Sequence, residues 1–354
     1  MEADQPCSRG ISSLPLELIL RIICFIDPFA NPTAVVNFAC TAKRFANKLS
    51  SILARHKAAH EKYGVISDLH PSVIPVLVRS ALGYSDPIDA WHVRSFEVWG
   101  TRRSWDEWRT FNLEEEGQNT VQGGEPPIAW TFENGEDRQL IDAFRDQMPE
   151  RDQRLAQEEL QRGGDGFLKM ALICHLPRLA DIKVTRGEHG LNSFVVWLVK
   201  ALAWFRESER WPPGLAGLRD VAIGVRSGTW RDKVWDECSP YTLAAMLRLP
   251  RLRSLYLNDV DLPQDENGNY FDEDILPPTS TVSRLFLDNV MGMTSDFQND
   301  LVQTPRSLEA FGVRVLPGYE ITHVDTMVSR LNKTQGDTIQ HLMFYNLGRL
   351  SAYR

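Results

Sequence analysis

The chain lacks the sequence signatures that most often announce chemistry. No Gly-Lys-Ser/Thr follows the Gly163-Gly164-Asp165-Gly166 run, so that run is not a phosphate loop, and the dinucleotide-binding fingerprint is incomplete. A Gly-x-Ser-x-Gly elbow is missing as well. So is any Cys-x-x-Cys pair: Cys7, Cys24, Cys40, Cys174 and Cys238 are scattered and odd in number. That usage suits a reduced, intracellular protein better than a disulfide framework. A basic excess is missing too. The formal net charge is -8, which argues against general nucleic-acid binding, because replacing counterions needs a basic face. The most apolar helix candidate, residues 194–205, is too short to span a bilayer and contains Lys200. The acidic start Met1-Glu2-Ala3-Asp4 does not suit a signal peptide, Glu2 excludes myristoylation, and Tyr353-Arg354 ends no prenylation box. Cytoplasm, nucleus or both are the expected location, with no membrane partner.

What is present begins with an amphipathic segment. Leu14, Leu18, Ile19, Ile22, Ile23 and Ile26 recur at helical spacing, and Glu17 and Arg21 sit one turn apart on the other face. Ser12 and Ser13 are expected to cap this helix, with Pro15 in its first turn. Pro28 and Pro32 end it and limit the next helix, which carries Val35, Val36 and Phe38. Thr41 is expected to cap a third helix, whose Ala42, Phe45, Leu49, Ile52 and Leu53 share one side and which runs on to about residue 61. Three short helices bury only a limited core and carry more apolar surface than they can hide. Either they pack on the rest of this chain or they complete their core on a partner.

Taken in order, Leu14-Pro15-x-Glu17-Leu18-x-x-x-Ile22, an apolar pair, and Cys40-x-x-Lys43-x-Phe45-x-x-x-Leu49 resemble an F-box, the motif that binds the Skp adaptor of cullin–RING ubiquitin ligases. The insert at residues 28–32 departs from the family, which more often has a shorter acidic-apolar turn there. The resemblance implies an F-box over residues 12–56 and an adaptor contact through Leu14, Pro15, Leu18, Ile22, Val36 and Phe45. Some of these six must instead hold the helices to one another. It also implies a substrate-recognition subunit of an SCF-type ligase, with no catalytic residue, metal or cofactor of its own. An F-box scaffold acting outside a ligase and an α/β enzyme without a recognisable motif are the alternatives.

A helical linker follows at 57–92, and where the third helix runs into it His56-x-x-x-His60 places two imidazoles on one helical face, but Lys57 stands where a zinc protease needs Glu and no third ligand is evident. Val93, Phe96 and Val98 alternate as a strand would. In the stretch Arg102-Arg103-Ser104-Trp105-Asp106-Glu107-Trp108, basic groups beside aromatics could bind a ligand or a base, but it reads first as packed tryptophans with local pairing of Arg102 or Arg103 to Asp106, and it resembles a stretch common in fungal F-box proteins. Residues 112–165 read as a charged insertion: an acidic, glycine-rich loop and then a surface helix. Asp265-Glu266-Asn267-Gly268-Asn269 reads as an exposed acidic turn, since the calcium-loop positions for Gly and Glu hold Tyr270 and Leu276.

From Phe167 onward a loose unit recurs: helix, short turn, alternating strand. Its strand segments begin Leu176-Pro177-Arg178-Leu179, Leu215-Ala216-Gly217-Leu218 and Leu249-Pro250-Arg251-Leu252, with weaker copies starting at Val282, Ser307 and Ile339. Helix candidates at 167–175, 193–205, 240–247, 296–303 and 321–331 precede most of them. The spacing drifts between roughly 25 and 40 residues, less regular than a strict leucine-rich repeat. The expected fold is therefore α/β: three N-terminal helices, then over 93–354 an irregular helix–strand solenoid with a curved parallel sheet, similar to the degenerate leucine-rich-repeat regions of F-box proteins. A closed α/β domain is the alternative. Residues just after the strands would line a target-binding rim: Arg186, Arg226, Asn258, Asp259, Asp288, Asn289, Arg314 and Asn346.

Overall fold

The computed structural model describes residues 14–26, 31–111, 127–128, 130–133, 135–185, 193–206, 210–225, 238–261, 279–291, 295–316 and 324–345. The fold is mixed α/β. Eight strands form one all-parallel sheet, ordered in space as in sequence: β1 (Val65–Ser67), β2 (Ser95–Val98), β3 (Asp181–Val184), β4 (Asp220–Ile223), β5 (Ser254–Asn258), β6 (Arg284–Val290), β7 (Ala310–Val315) and β8 (His341–Tyr345). Parallel neighbours need a crossover, and helices supply most of them. Between β2 and β3 lie α7 (Glu136–Asp142), α8 (Glu150–Arg162) and α9 (Gly166–His175). Further along are α10 (Phe194–Trp204), α11 (Pro213–Gly217), α12 (Pro240–Met246), α13 (Ser295–Gln303) and α14 (Val324–Gln335).

Alternation along the strands decides which face the helices cover. Ile66, Phe96, Ile182, Val221, Leu255, Leu285 and Phe311 share one register row and are buried. Their neighbours Ser67, Glu97, Lys183, Ala222, Tyr256, Phe286 and Met343 reach solvent in part or fully. One face is thus core, continuous with α9 and α10 through Phe167, Leu172, Trp197 and Leu198, and the other is open. Six of these strands and five of these helices coincide, within a few residues, with the repeat units read from the sequence. The short strand β1 was not anticipated, because three residues carry no period.

The stretch between β2 and α9 is more than a surface excursion. Leu140, Ile141, Phe144, Met148, Ala156 and Leu160 are buried in the main core. The α8 helix ends at Gly163, in the left-handed region at φ +88°, where a Cβ would lie 2.5 Å from Trp105. Trp105 and Trp108 pack with Trp130 and Phe132, as the packing reading expected. Arg102 departs from expectation. It is fully buried and pairs with Asp165 at 3.2 Å rather than with Asp106, and it donates to the carbonyls of Asp68 and Arg109. Only the chain's return through α9 brings Asp165 to it.

The N-terminal helices are α1 (Leu16–Ile26), α2 (Pro32–Cys40), α3 (Lys43–Lys48) and α4 (Ser50–Tyr63), followed by α5 (Val73–Ala81) and α6 (Ile88–His92). Asn31 caps α2 by accepting from Ala34 N at 3.1 Å, with Pro32 as the first helical residue. Thr41 does not cap a third helix. Its hydroxyl donates to Phe38 O at 2.7 Å and closes α2 instead. The expected long third helix is two helices, broken at Leu49, whose backbone (φ -95°, ψ 12°) leaves the helical region. Ser12 and Ser13 lie outside the described residues.

Candidate functional site

The first candidate surface is on α1. Ile19 and Ile23 turn inward and form a small core with Val35, Ala39, Phe45 and Leu49, separate from the main one. Ile26 packs partly on this small core, whereas Leu18, Leu20 and Phe25 of α1 are left exposed. Pro15 is exposed, Leu18 is 43% exposed and Phe25 is 92% exposed, while Ile22 is half-buried. Residues 15, 18, 22 and 25 fall on one helical stripe, so they form a ridge rather than scattered spots.

The six residues assigned to adaptor contact divide. Pro15 and Leu18 stand on the ridge, and Ile22 lines it. Leu14 is half-buried against the small core. Val36 is half-buried and lines a cleft between α2 and the body. Phe45, 1% exposed, is stacked on Phe38 at 4.5 Å and holds the helices together in the free chain. Phe25 was not singled out from the sequence. Its position seven residues after Leu18, two turns along the same stripe, is the signal that marks it.

The second candidate surface is the open face of the sheet. At its centre Tyr256 and Phe286 stack with centroids 5.7 Å apart and planes 8° from parallel. Gly312 lies next in the register, and a Cβ there would meet the Phe286 ring at 2.2 Å. The ring therefore lies on bare backbone. Burial and the Asp288 carboxylate push the Tyr256 phenol up, so it stays a donor.

At the C-terminal ends of the strands, five of the eight rim residues come together. Asn289 Nδ2 donates to Asn258 Oδ1 (3.0 Å) and Asp259 Oδ1 (3.1 Å), and Asn258 Nδ2 donates to Asp259 Oδ2 (3.2 Å). Arg314 donates to both carboxylate oxygens of Asp288, to Oδ2 at 2.8 Å, and Tyr256 donates to the same Oδ2 at 2.8 Å. Asp259 (φ 54°) and Asn289 (φ 49°) are left-handed, a conformation these residue types tolerate best among those with a side chain. Asn258, Asp259 and Asp288 are buried, and the polar groups of the cluster are turned toward one another. The cluster reads first as a brace across β5, β6 and β7. Arg186, Arg226 and Asn346 lie outside the described residues.

The N-terminal ends of the strands carry the opposite charge. Arg219, Arg253, Arg284 and Arg306 line a cleft of about 740 Å³ together with Asp220 and Glu309. Arg284 approaches Glu309 at 3.5 Å. The sheet thus runs from an arginine-rich edge, across an aromatic pair, to an Asp/Asn edge.

No protein-family model, curated protein or solved structure matches this chain. Function must therefore be read from the surfaces themselves. Among the described residues no group of three or more His, Cys, Asp or Glu is arranged to hold a metal ion. Burial raises the Cys174 thiol and pushes Cys238 up to about 12, so both stay protonated at neutral pH and are poor nucleophiles. No helix of the described residues is long and apolar enough to cross a membrane.

Proposed function

We propose that this chain is an F-box-type substrate receptor of an SCF-type cullin–RING ubiquitin ligase. The ridge of Pro15, Leu18, Ile22 and Phe25 would enter a groove of the Skp adaptor, while the open sheet face would hold a target protein. The observation that carries this reading is the ridge. A small helical module with its own closed core leaves a contiguous apolar stripe uncovered, as an amphipathic helix does when it anchors in a partner's groove. The sheet, with strand order equal to sequence order and α9 and α10 packed in the core with its buried face, suits an irregular leucine-rich-repeat-like solenoid offering its other face to a protein. Ubiquitin transfer would then gain from proximity, the chemistry residing in other subunits of an intracellular complex.

Co-expression with a Skp adaptor tests the reading. The wild-type chain is expected to co-purify, and the Leu18→Asp/Phe25→Ser variant is expected not to. Adding cullin to the adaptor complex separates a ligase receptor from an F-box scaffold. Failure of the wild-type chain to bind any Skp adaptor would sink the proposal.

A further inference from the structure

We infer that the cleft between α2 and the α4–α6 layer is a binding site for a small, multiply charged oxyanion of the phosphate class. This inference is independent of the receptor reading. The cleft holds about 500 Å³ and is lined on its charged side by His56, Lys57, His60, His92, Arg94 and Arg178, with no carboxylate among its lining residues. In a chain of net charge -8, such a one-signed pocket is a departure that packing alone does not call for.

The groups around the cleft are disposed to need an anion. Two nearby carboxylates are engaged elsewhere, Asp86 and Asp89 binding Arg55 at 2.8 and 2.5 Å, while Glu61 approaches the cleft residue Lys57 only at 3.8 Å with both side chains largely exposed. Arg178 lies over the Trp91 ring at 3.8 Å, and Arg94 donates only a long bond, 3.5 Å, to Arg178 O. Neither guanidinium has a carboxylate partner among the described residues, and each carries five N–H donors in a fork that fits phosphate oxygens. His56 Nδ1 and His92 Nε2 lie 2.9 Å apart, with the His60 ring 5.6 Å from that of His92. His56 is 4% exposed, and its Nε2 is buried without a hydrogen-bond partner. Burial, followed by His56, His60, Arg94 and Arg55, pushes His92 down to about 4. Burial thus holds the His56 imidazole toward its neutral form, and burial together with its neighbours does the same to His92. A bound dianion would offset the crowding and let them take up protons. The sequence pattern showed two of these imidazoles but not the third, which α6 delivers.

The cleft also sits where the N-terminal helices meet the body. Trp91 Nε1 donates to Thr33 Oγ1 across it at 3.2 Å. An anion held by Arg94 and Arg178 beside α2 would fasten the two parts together.

Calorimetric titration of the full chain with inorganic pyrophosphate at physiological salt tests the site. Binding is expected for the wild type, tighter at pH 6 than at pH 8. The Arg94→Gln/Arg178→Gln variant is expected to lose about tenfold or more in affinity, because two charge-assisted forks are removed. Arg253→Gln/Arg284→Gln, in the other basic cleft, should bind as the wild type does. Should the double variant at Arg94 and Arg178 unfold, Lys57→Gln on the exposed face of α4 provides a milder arm, with a loss of about twofold to fivefold. Absence of binding by the wild type, an equal loss in the Arg253/Arg284 control, or no loss in either cleft variant would overturn the assignment. Equal affinity for citrate would overturn the phosphate class.

Discussion

Arg102 and Asp165 form an ion pair at 3.2 Å with neither side chain exposed to solvent. They belong to a four-residue cluster of balanced charge. Lys169 Nζ reaches Asp68 Oδ2 at 2.6 Å, Asp165 Oδ2 at 2.8 Å and Gly100 O at 2.8 Å, and Trp99 N donates to Asp68 Oδ1 at 2.7 Å. Burial pushes the Asp68 carboxyl up, while Lys169 and Arg102 pull it back toward the charged form. The cluster ties the loop after β1, the loop after β2 and the start of α9 into one unit.

Removing one member of this cluster leaves a buried charge unpaired. Lys169→Met is expected to destabilise the fold by about 3–5 kcal/mol, measured by urea unfolding. An effect no larger than that of Lys57→Gln on the surface would show that the cluster contributes little.

Glu159 predicts a pH dependence. It accepts from Phe167 N at 2.7 Å and Trp197 Nε1 at 2.6 Å, yet burial raises its carboxyl to about 7. The folded state therefore holds a proton that the unfolded chain releases near 4.5. Its contribution is full below about 4.5 and is lost as pH rises to about 7, amounting to at most about 3 kcal/mol. His92, pushed down to about 4, works in the opposite direction between pH 4 and 6.5. Comparison with Glu159→Gln isolates the carboxyl: stability curves from pH 4.5 to 8 should lose this downward slope in the variant. Parallel curves would refute the assignment.

Gly312 keeps the aromatic pair in place. Gly312→Val puts side-chain atoms where the Phe286 ring now lies, so the ring must leave its stack on Tyr256. The expected cost is about 1–3 kcal/mol, with a loss of near-ultraviolet circular dichroism from the pair. Retention of both stability and signal would mean that the ring has another equally good position.

The α1 ridge should be separable from folding. Leu18→Asp and Phe25→Ser alter exposed positions outside both cores, so their effect on thermal or urea unfolding is expected to stay within about 0.5 kcal/mol each. Phe45→Ala, by contrast, empties the small core and should cost about 3–5 kcal/mol. If all three substitutions destabilise alike, α1 is covered by its own chain in solution.

The repeat from Phe167 onward was legible because each strand alternates and each helix is bounded by Pro, Ser or Gly, signals that act within a few residues. Leu252-Arg253-Ser254-Leu255-Tyr256-Leu257 declares its buried and open faces without help from the rest of the chain. The α1 stripe was legible for the same reason, although Phe25 was overlooked because it adds nothing to the inward face. Thr41 misled because a hydroxyl beside a helix boundary can serve either neighbour, and only the backbone geometry at Ala42 and Leu49 decides.

The local pattern of the sequence by itself determined the helix and strand units from Phe167 onward, the strand faces and the presence of an apolar N-terminal helix. Tertiary structure decided everything that depends on residues far apart in the chain. Arg102 pairs with Asp165 instead of Asp106 because the fold buries its guanidinium completely, and a buried charge left without an enclosed partner is costly. Asn258, Asp259, Asp288, Asn289 and Arg314 closed on one another because neighbouring parallel strands bring the same register positions together. His56 met His92 because α6 folds back onto α4, and no spacing along the chain encodes that meeting.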